Sequence, residues 1–404
     1  MDTFVHMKGI RAGFMWIVMI CACFWSQCSL LPDSDAVVRT RAKWKPAKFA
    51  KGFRWFVQSE SNLAAELSNP RTGEVWAVVW RDSVAYKNFH VHAESVPQVV
   101  ANQVVERGIA TLSTTHVALM SSWDEELSNW AGGGYIQYLQ NSIALAKIAS
   151  GQAQDFSGQP ELDKEKLVAA KPGALTIYPF GDPLEGTGIG RHIPVVPIGE
   201  YLEPHPLGRA EWMVLLGWLC GQTAEAQLRF DVIASAYADV REKLESVKKV
   251  DVPKVFAGSM RNGVWHAPGG GSLVAQLIRD AGAEYLFDAE YGEENIEVSL
   301  EVMMVMGEQA DAFGVVWEAP NGLSQKTLLE SDVRYASVIP KGERVFGANT
   351  AECDYFGSWV ARPHDMLHNL AHLFHPTEVD APADICFRWL SADATVASLR
   401  DSGS

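Results

Sequence analysis

Four histidines fall close together in "HDMLHNLAHLFH": His364, His368 and His372 recur at i, i+4 and i+8, and His375 follows. On a helix that spacing aligns them along one face, and a pair four apart can chelate zinc. A third histidine two turns away cannot complete a compact tetrahedron, so the pattern reads first as decoration of a helix surface. A hydrolytic triad can be drawn from Ser113, His116 or His205, and Asp354, yet no G-x-S-x-G elbow is present to expose the serine. The stretch "WHAPGGGSLVAQLIRDAGAEYLF" sets three glycines before a short amphipathic helix. Ser272 is its natural N-cap, Leu273, Leu277, Ile278 and Ala281 share a face, and Gly282 is the stop. Such a turn can bring backbone N–H groups to an anion. No Lys-Ser/Thr pair follows, however, and the spacing is not the dinucleotide fingerprint.

The surrounding elements indicate what would position these residues. From Ala47 to Val105 the chain is strand-like, as in "VWAVVWRDSVAY" after the turn signal "NPRTGE", and reads as an N-terminal β-hairpin extension. "IATLSTTHVALM" is a buried strand entering a helix at Thr114 or Thr115. "KEKLVAAKPGALTIYPF" gives a helix, a stop and a strand over Ala174–Tyr178, and "RHIPVVPIGEY" a further strand before the helical "GRAEWMVLLGWLCG". Strand–helix alternation of this kind predicts an α/β fold with mostly parallel sheets flanked by helices. The clearest helix starts at Thr223, with Leu228, Val232, Ala236, Val240, Leu244 and Val247 as its apolar stripe. The alternation then restarts with "PKVFAGSM". The plan is two lobes joined by one long rigid helix: 1–28 a signal segment, 29–105 tether and β extension, 106–222 the first lobe, 223–249 the linker, 250–404 the second lobe.

A chain of 404 residues with 48% hydrophobic content can bury more than one core. Its net charge of −15 argues against nucleic acid as a partner. Lys8 and Arg11 precede the apolar run "AGFMWIVMICACFW", which suits a signal h-region better than a permanent span. Cys28, ahead of the tether "SLLPDSDA", is the expected lipid-acceptor residue of a bacterial lipoprotein. Cys23 competes through its better small-residue context, and an uncleaved anchor helix is the third reading. Cys220, within "WMVLLGWLC", reads as a core residue. Cys353 and Cys386 are read as separate thiols, with a bridge in an oxidising compartment as the alternative.

Taken in order, these motifs resemble the extracytoplasmic substrate-binding proteins of ABC importers for cobalamin, haem and ferric siderophores. The resemblance is carried by "STTH", "DKEKLVAAKPGALTIY", "IPVVPIGEYLEPHPLGRAEWMVLLGWLCG", "GGGSLVAQLIRDAGAEYLF" and "RPHDMLHNLAHLFHP", from about Arg107 to Pro376. It implies a non-enzymatic receptor, lipid-anchored outside the cytoplasm and expected as a monomer without a cofactor of its own. Such a receptor captures a metal chelate between its lobes and hands it to a membrane permease. Glu165 and Glu301 would dock on permease arginines. Residues at strand ends would line the cleft: Ser113, Thr114, Thr115, His116, Tyr135, Tyr178, Tyr201, His205, Trp265, Gly269, Gly270, Gly271, Trp317, Tyr355 and Trp359. Tyr178 to Gly181 and Glu200 to Glu203 belong to the same loops. The aromatic supply, with 14 Trp, suits a flat macrocycle or an organic chelate, although Trp76, Trp80, Trp212 and Trp218 read as packing. His116 and His205 read first as capping or core histidines, and as axial ligands to haem or cobalamin second. The other function considered within this fold is a bare Zn or Mn receptor drawing on His116, His205, Glu200 and Glu203.

Overall fold

The computed structural model describes residues 42–89, 96–158, 162–179, 188–245, 247, 252–287, 292–340, 342 and 344–392. The signal segment, Cys23, Cys28 and Gly181 lie outside the described residues. Among those described, no helix is long and apolar enough to cross a membrane.

The N-terminal region is larger than the expected hairpin. Strands β1 (Lys43–Pro46), β2 (Phe53–Gln58), β3 (Ser61–Ser68), β4 (Val75–Trp80) and β5 (Gln98–Val100) form a five-stranded sheet in sequence order. It is antiparallel as far as β4, and β5 adds parallel to β4. Successive strand residues point to opposite faces. Phe53, Trp55, Val57, Leu67 and Val79 therefore join the main core. Phe56, Ala64, Val78 and Trp80 form a smaller core on the other face, together with Ala85 of the short helix Ser83–Phe89. With both faces covered, the strands lose the clean polar alternation that would have revealed a full sheet.

In the first lobe, β6 (Ile109–Thr111), β7 (Trp130–Gly133), β8 (Gln154–Asp155), β9 (Ala174–Ile177) and β10 (Val195–Pro197) form a parallel sheet of order β10-β9-β6-β7-β8. The chain runs from β6 to one edge and returns to the other, leaving a topological switch point between β6 and β9. The second lobe repeats the plan. β11 (Lys254–Ala257), β14 (Glu284–Tyr285), β16 (Ala312–Trp317), β17 (Val345–Asn349) and β18 (Phe387–Trp389) stand in the order β14-β11-β16-β17-β18. All pair in parallel except β18. A three-stranded antiparallel sheet of β12 (Ser259–Arg261), β13 (Val264–Pro268) and β15 (Asn295–Val298) accompanies it.

The linker helix is unbroken from Thr223 to Leu244, 22 residues, or about 33 Å at 1.5 Å per residue. Its buried stripe is Ala226, Phe230, Ile233, Tyr237, Val240 and Leu244, spaced alternately by four and three. Leu228 and Val232 of the expected stripe are 68% and 51% exposed. The aromatic rings of Phe230 and Tyr237 take the inner face, and residues two positions away are carried to the far side. The helix packs on Pro206–Leu219 of the first lobe and on Pro363–Phe374 of the second. Gly217 allows the first contact, since a Cβ there would lie 2.3 Å from that of Ala226. Tyr237 adds a directional tie to another helix of the second lobe, Leu273–Asp280, its hydroxyl donating to Asp280 at 2.7 Å.

Candidate functional site

Ser113 N-caps the helix Thr114–Ser121, accepting from the Thr115 N–H at 3.2 Å. With Thr114, Trp130 and Leu139 it lines a crevice of only about 10 Å³, no larger than one water needs. Thr115 reaches the other lobe, donating through Oγ1 to the Phe356 carbonyl at 2.9 Å. Gln140 does the same to the Thr350 carbonyl at 3.2 Å. The strand ends of the two lobes are thus bonded together rather than lining a wide groove.

Several expected ligand contacts are structural residues instead. His116 is fully buried, its Nδ1 3.0 Å from Thr176 Oγ1 and its Nε2 3.5 Å from Glu200 Oε2. His205 N-caps the helix Pro206–Leu219, its Nδ1 accepting from the Leu207 N–H at 3.1 Å. Burial lowers its pKa from the ordinary 6.5, which keeps that nitrogen free to accept. Trp265 is wholly buried among Phe256, Phe313 and Tyr335. Trp317 meets Tyr335 edge-on. Tyr135, at a left-handed φ of 57°, and Tyr178 pack against the second core of the first lobe.

The glycine turn does not cradle an anion. Gly269 N–H donates to the Glu294 carbonyl at 2.9 Å and Gly271 N–H to that of Gly292 at 2.7 Å. Gly270 is buried beside them. A Cβ on Gly271 would meet the Gly292 carbonyl oxygen at 3.0 Å, so the close backbone approach fixes that glycine.

An aromatic concavity lies between the lobes. Its volume is about 230 Å³, and Tyr201, Tyr355, Phe356 and Trp359 supply its rings. A second cavity of about 220 Å³ inside the second lobe shares the walls Pro268, Val274, Asn295 and Tyr355. Tyr201, Tyr355 and Trp359 are the expected residues that the structure brings together. Burial raises the phenol pKa of both tyrosines, and the Arg209 guanidinium opposes that shift at Tyr355. Arg209, Arg71 and Glu293, with Glu203, form the charged wall, and the sequence reading missed the first three. Arg209 was visible as a lone cation in the apolar run "PLGRAEWMVLLGWL". Its Nε is shut off from solvent and has no hydrogen-bond partner among the described residues. Arg71 comes from the β3–β4 turn and pairs at 3.3 Å with both Glu293 and Glu294 of the second lobe.

Two buried glutamates fasten the N-terminal sheet to the first lobe. Glu211 accepts the backbone N–H groups of Lys48, Phe49 and Ala50 at 2.8, 2.6 and 2.8 Å. Glu203 accepts those of Lys51 and Gly52, and the Trp212 indole N–H at 3.0 Å. Five successive N–H groups are thereby taken by two carboxylates. Burial nevertheless pushes the Glu203 pKa up, against the lowering effect of its donors.

These contacts dispose of the other constellations. Of the possible ligands for a bare metal, Glu203 is occupied, His205 caps a helix, and His116 and Glu200 face each other in the core. Among the described residues, no three His, Cys, Asp or Glu side chains are arranged to hold a metal ion. The triad does not assemble either, since Asp354 accepts from the Ser358 N–H at 2.7 Å and Ser113 is a cap. The histidine face is more than decoration. His368 Nε2 lies 2.8 Å from the Asp380 carbonyl, His372 Nδ1 2.7 Å from that of Val379, and His375 Nε2 3.0 Å from that of Gly282. His368 and His372 pin the chain that follows their helix, and His375 ties the helix end to the turn at Gly282. Cys353 and Cys386 are bridged, with Cα atoms 5.6 Å apart, which ties the Tyr355–Trp359 loop to the start of β18. They are not the separate thiols expected from their spacing: the fold brings β17 and β18 side by side and so closes 33 residues of chain. Cys220 is free and buried. Glu165 and Glu301 are exposed in the first turns of helices Lys164–Ala170 and Leu300–Gln309. The Glu301 carboxyl is held below its usual range by its own backbone N–H and the Ser299 side chain.

The periplasmic binding protein family matches residues 109–332, more than half of the chain. The chain belongs to that family. Its members are solute-binding proteins rather than enzymes. An uncharacterised lipoprotein of Methanocaldococcus jannaschii is 23% identical over 359 residues, 82% of each chain. Among solved structures, a periplasmic haem-binding protein from Pseudomonas aeruginosa superposes with a TM-score of 0.54 at 15% identity, over 71% of this chain and 99% of that one. A TroA-like periplasmic binding protein from Veillonella parvula gives 0.52 at 14% identity, over 72% and 97%. A triscatecholate siderophore-binding protein from Bacillus subtilis gives 0.50 at 14% identity, over 71% and 98%. At such identities these likenesses establish the two-lobed binding-protein fold.

Proposed function

We propose that this periplasmic binding protein captures a bulky, aromatic-compatible metal chelate of the haem, ferric siderophore or corrinoid class and delivers it to an ABC permease. The observation that carries this reading is the inter-lobe pocket walled by Tyr201, Tyr355, Phe356 and Trp359 beside two guanidinium groups. Rings of this kind suit a flat or catechol-like ligand, and the cations suit its negative charge. Of the potential ligands for a bare ion, Glu203 and the His205 Nδ1 are occupied by N–H donors, and among the described residues no three such side chains converge, which favours the chelate over a free metal. At about 230 Å³ the pocket holds a portion of such a ligand. Entry of the whole requires the lobes to part at the Thr115–Phe356 and Gln140–Thr350 bonds, and the stiff linker limits how far they move.

Glu165 and Glu301, one on each lobe, are the proposed docking points on the permease, and Cys28 is the proposed lipid attachment site outside the cytoplasm. A thermal-shift series with haem, cobalamin and several ferric siderophores tests the ligand reading. A ligand at one hundred times its Kd adds about 2.7 kcal/mol of stability. One class should raise Tm accordingly, with a matching absorbance band on the purified complex. If none of the chelates shifts Tm while zinc or manganese does, the reading is wrong.

A further inference from the structure

The family match begins at residue 109, after the five-stranded sheet. That sheet nonetheless supplies Arg71 to the pocket wall. The geometry points to a ligand site with three walls rather than two, in which Arg71 of the N-terminal sheet and Arg209 of the first lobe form one subsite for an anionic group carried on an aromatic ring. Arg71 exchanges Glu293 and Glu294 for that anion when ligand binds. This inference rests on the ligand-binding reading above.

The two arginines play different parts. Arg209 has its Nε closed off from water and no hydrogen-bond partner among the described residues. That nitrogen has lost hydration without a hydrogen bond to replace it, and Glu200 offsets the loss only through its charge, so an incoming oxyanion gains a charge-assisted bond at little extra desolvation. The surrounding carboxylates do not provide one. Glu203 and Glu211 are filled by the backbone N–H groups of residues 48–52. Glu200 faces His116 at 3.5 Å and makes no hydrogen bond to Arg209.

Arg71 is the exchangeable member. Its side chain is 29% exposed and its partners Glu293 and Glu294 are 31% and 83% exposed. Partly exposed pairs of this kind contribute about 0–1 kcal/mol, so breaking them costs little. Glu293 is partly exposed, but its Oε2 is closed off beside Arg71, so its release requires the side chain to turn outward to solvent. Tyr355, Phe356 and Trp359 supply apolar surface next to the cations, which selects a ring-borne anion over a bare oxyanion.

The test is calorimetric titration of the full chain with benzoate, its neutral isostere benzamide, and inorganic phosphate. Benzoate should bind about tenfold more tightly than benzamide and lose affinity as salt rises. Arg71→Gln and Arg209→Gln should each weaken benzoate at least about fivefold and leave benzamide unchanged, while Arg209→Lys retains part of the affinity. Arg71 lies on an exposed turn, so its variant keeps the test valid should Arg209→Gln fold poorly. Equal affinity for benzoate and benzamide, absence of benzoate binding, or indifference of benzoate to Arg71→Gln overturns the subsite. Phosphate binding more tightly than benzoate also overturns it, since the rings would then contribute nothing. The two readings fail separately. Chelates that still raise Tm without benzoate binding leave the receptor standing and remove the subsite; benzoate binding without any chelate does the reverse.

Discussion

Glu211 and His205 show how much of this protein rests on single polar side chains next to the helix Pro206–Leu219. Glu211→Ala would strand the part-buried N–H groups of Lys48 and Phe49 and the buried one of Ala50, at a cost of roughly 1–3 kcal/mol for each group left without an acceptor. Urea denaturation should record a lower midpoint, and Glu211→Gln should recover only part because an amide oxygen replaces two acceptors with one. His205 predicts a pH effect. Its folded pKa is lowered by burial, with Arg241 and Lys51 pushing the same way and Asp280 opposing. The unfolded chain therefore binds the proton first, and stability present above pH 6.5 is lost as pH falls through and below that value. His205→Asn keeps an N-cap without a titrating group and should flatten part of the acid limb. An unchanged acid limb in that variant would assign the pH dependence elsewhere, His364 being the other histidine whose pKa burial lowers. Residue roles of this kind were poorly legible in the sequence. The types of His116, His205, Glu203 and Trp265 suggested ligands, but burial and hydrogen-bond partners decide their use, and those partners lie as many as 152 positions away.

At the scale of elements, periodicity served well where one face is wet and failed where both are dry. The parallel strands and the helix after the glycine turn stand where the pattern places them, because their apolar runs are bounded by caps and stops. The five-stranded N-terminal sheet looked like a hairpin because β2 and β4 are buried on both sides. The linker helix stands where the pattern places it, with Val240 and Leu244 inward, but its first half is turned: Leu228 and Val232 fit a helical repeat as well as Phe230 and Ile233 do, and only packing chooses between them. The disulfide belongs to this scale too. In the chain-entropy picture, closing the loop between Cys353 and Cys386 contributes about 3–4 kcal/mol. Cys386→Ser should lower Tm and loosen the Tyr355–Trp359 loop, giving faster amide exchange there than in the first lobe. Uniform exchange in both lobes would mean that the bridge does not organise the pocket loop.

For the whole molecule, the arrangement predicts separable functions. Replacing Glu165 and Glu301 together by alanine should leave chelate affinity within about twofold while abolishing uptake in cells, because both carboxylates are exposed and neither lines the pocket. Equal loss of binding and uptake would remove the docking role. Changing Cys28 to serine should release the protein from membranes. If the change at Cys23 does so instead, the anchor lies five residues earlier. The two-lobed plan was legible because it is written in the order of many elements, none decisive alone. The charged pocket wall was not, because Arg71, Arg209 and Glu293 come from three bodies whose meeting no local pattern announces.

The grip of Glu203 and Glu211 on residues 48–52 bears on how this protein can be shortened. A version trimmed to begin near residue 106 would retain both lobes, the rod between them and every strand of the family match. It would also bare two anions and the indole of Trp212 on a surface shaped to receive main-chain amides. Such a fragment should stay insoluble alone and be rescued by supplying the missing sheet as a separate polypeptide.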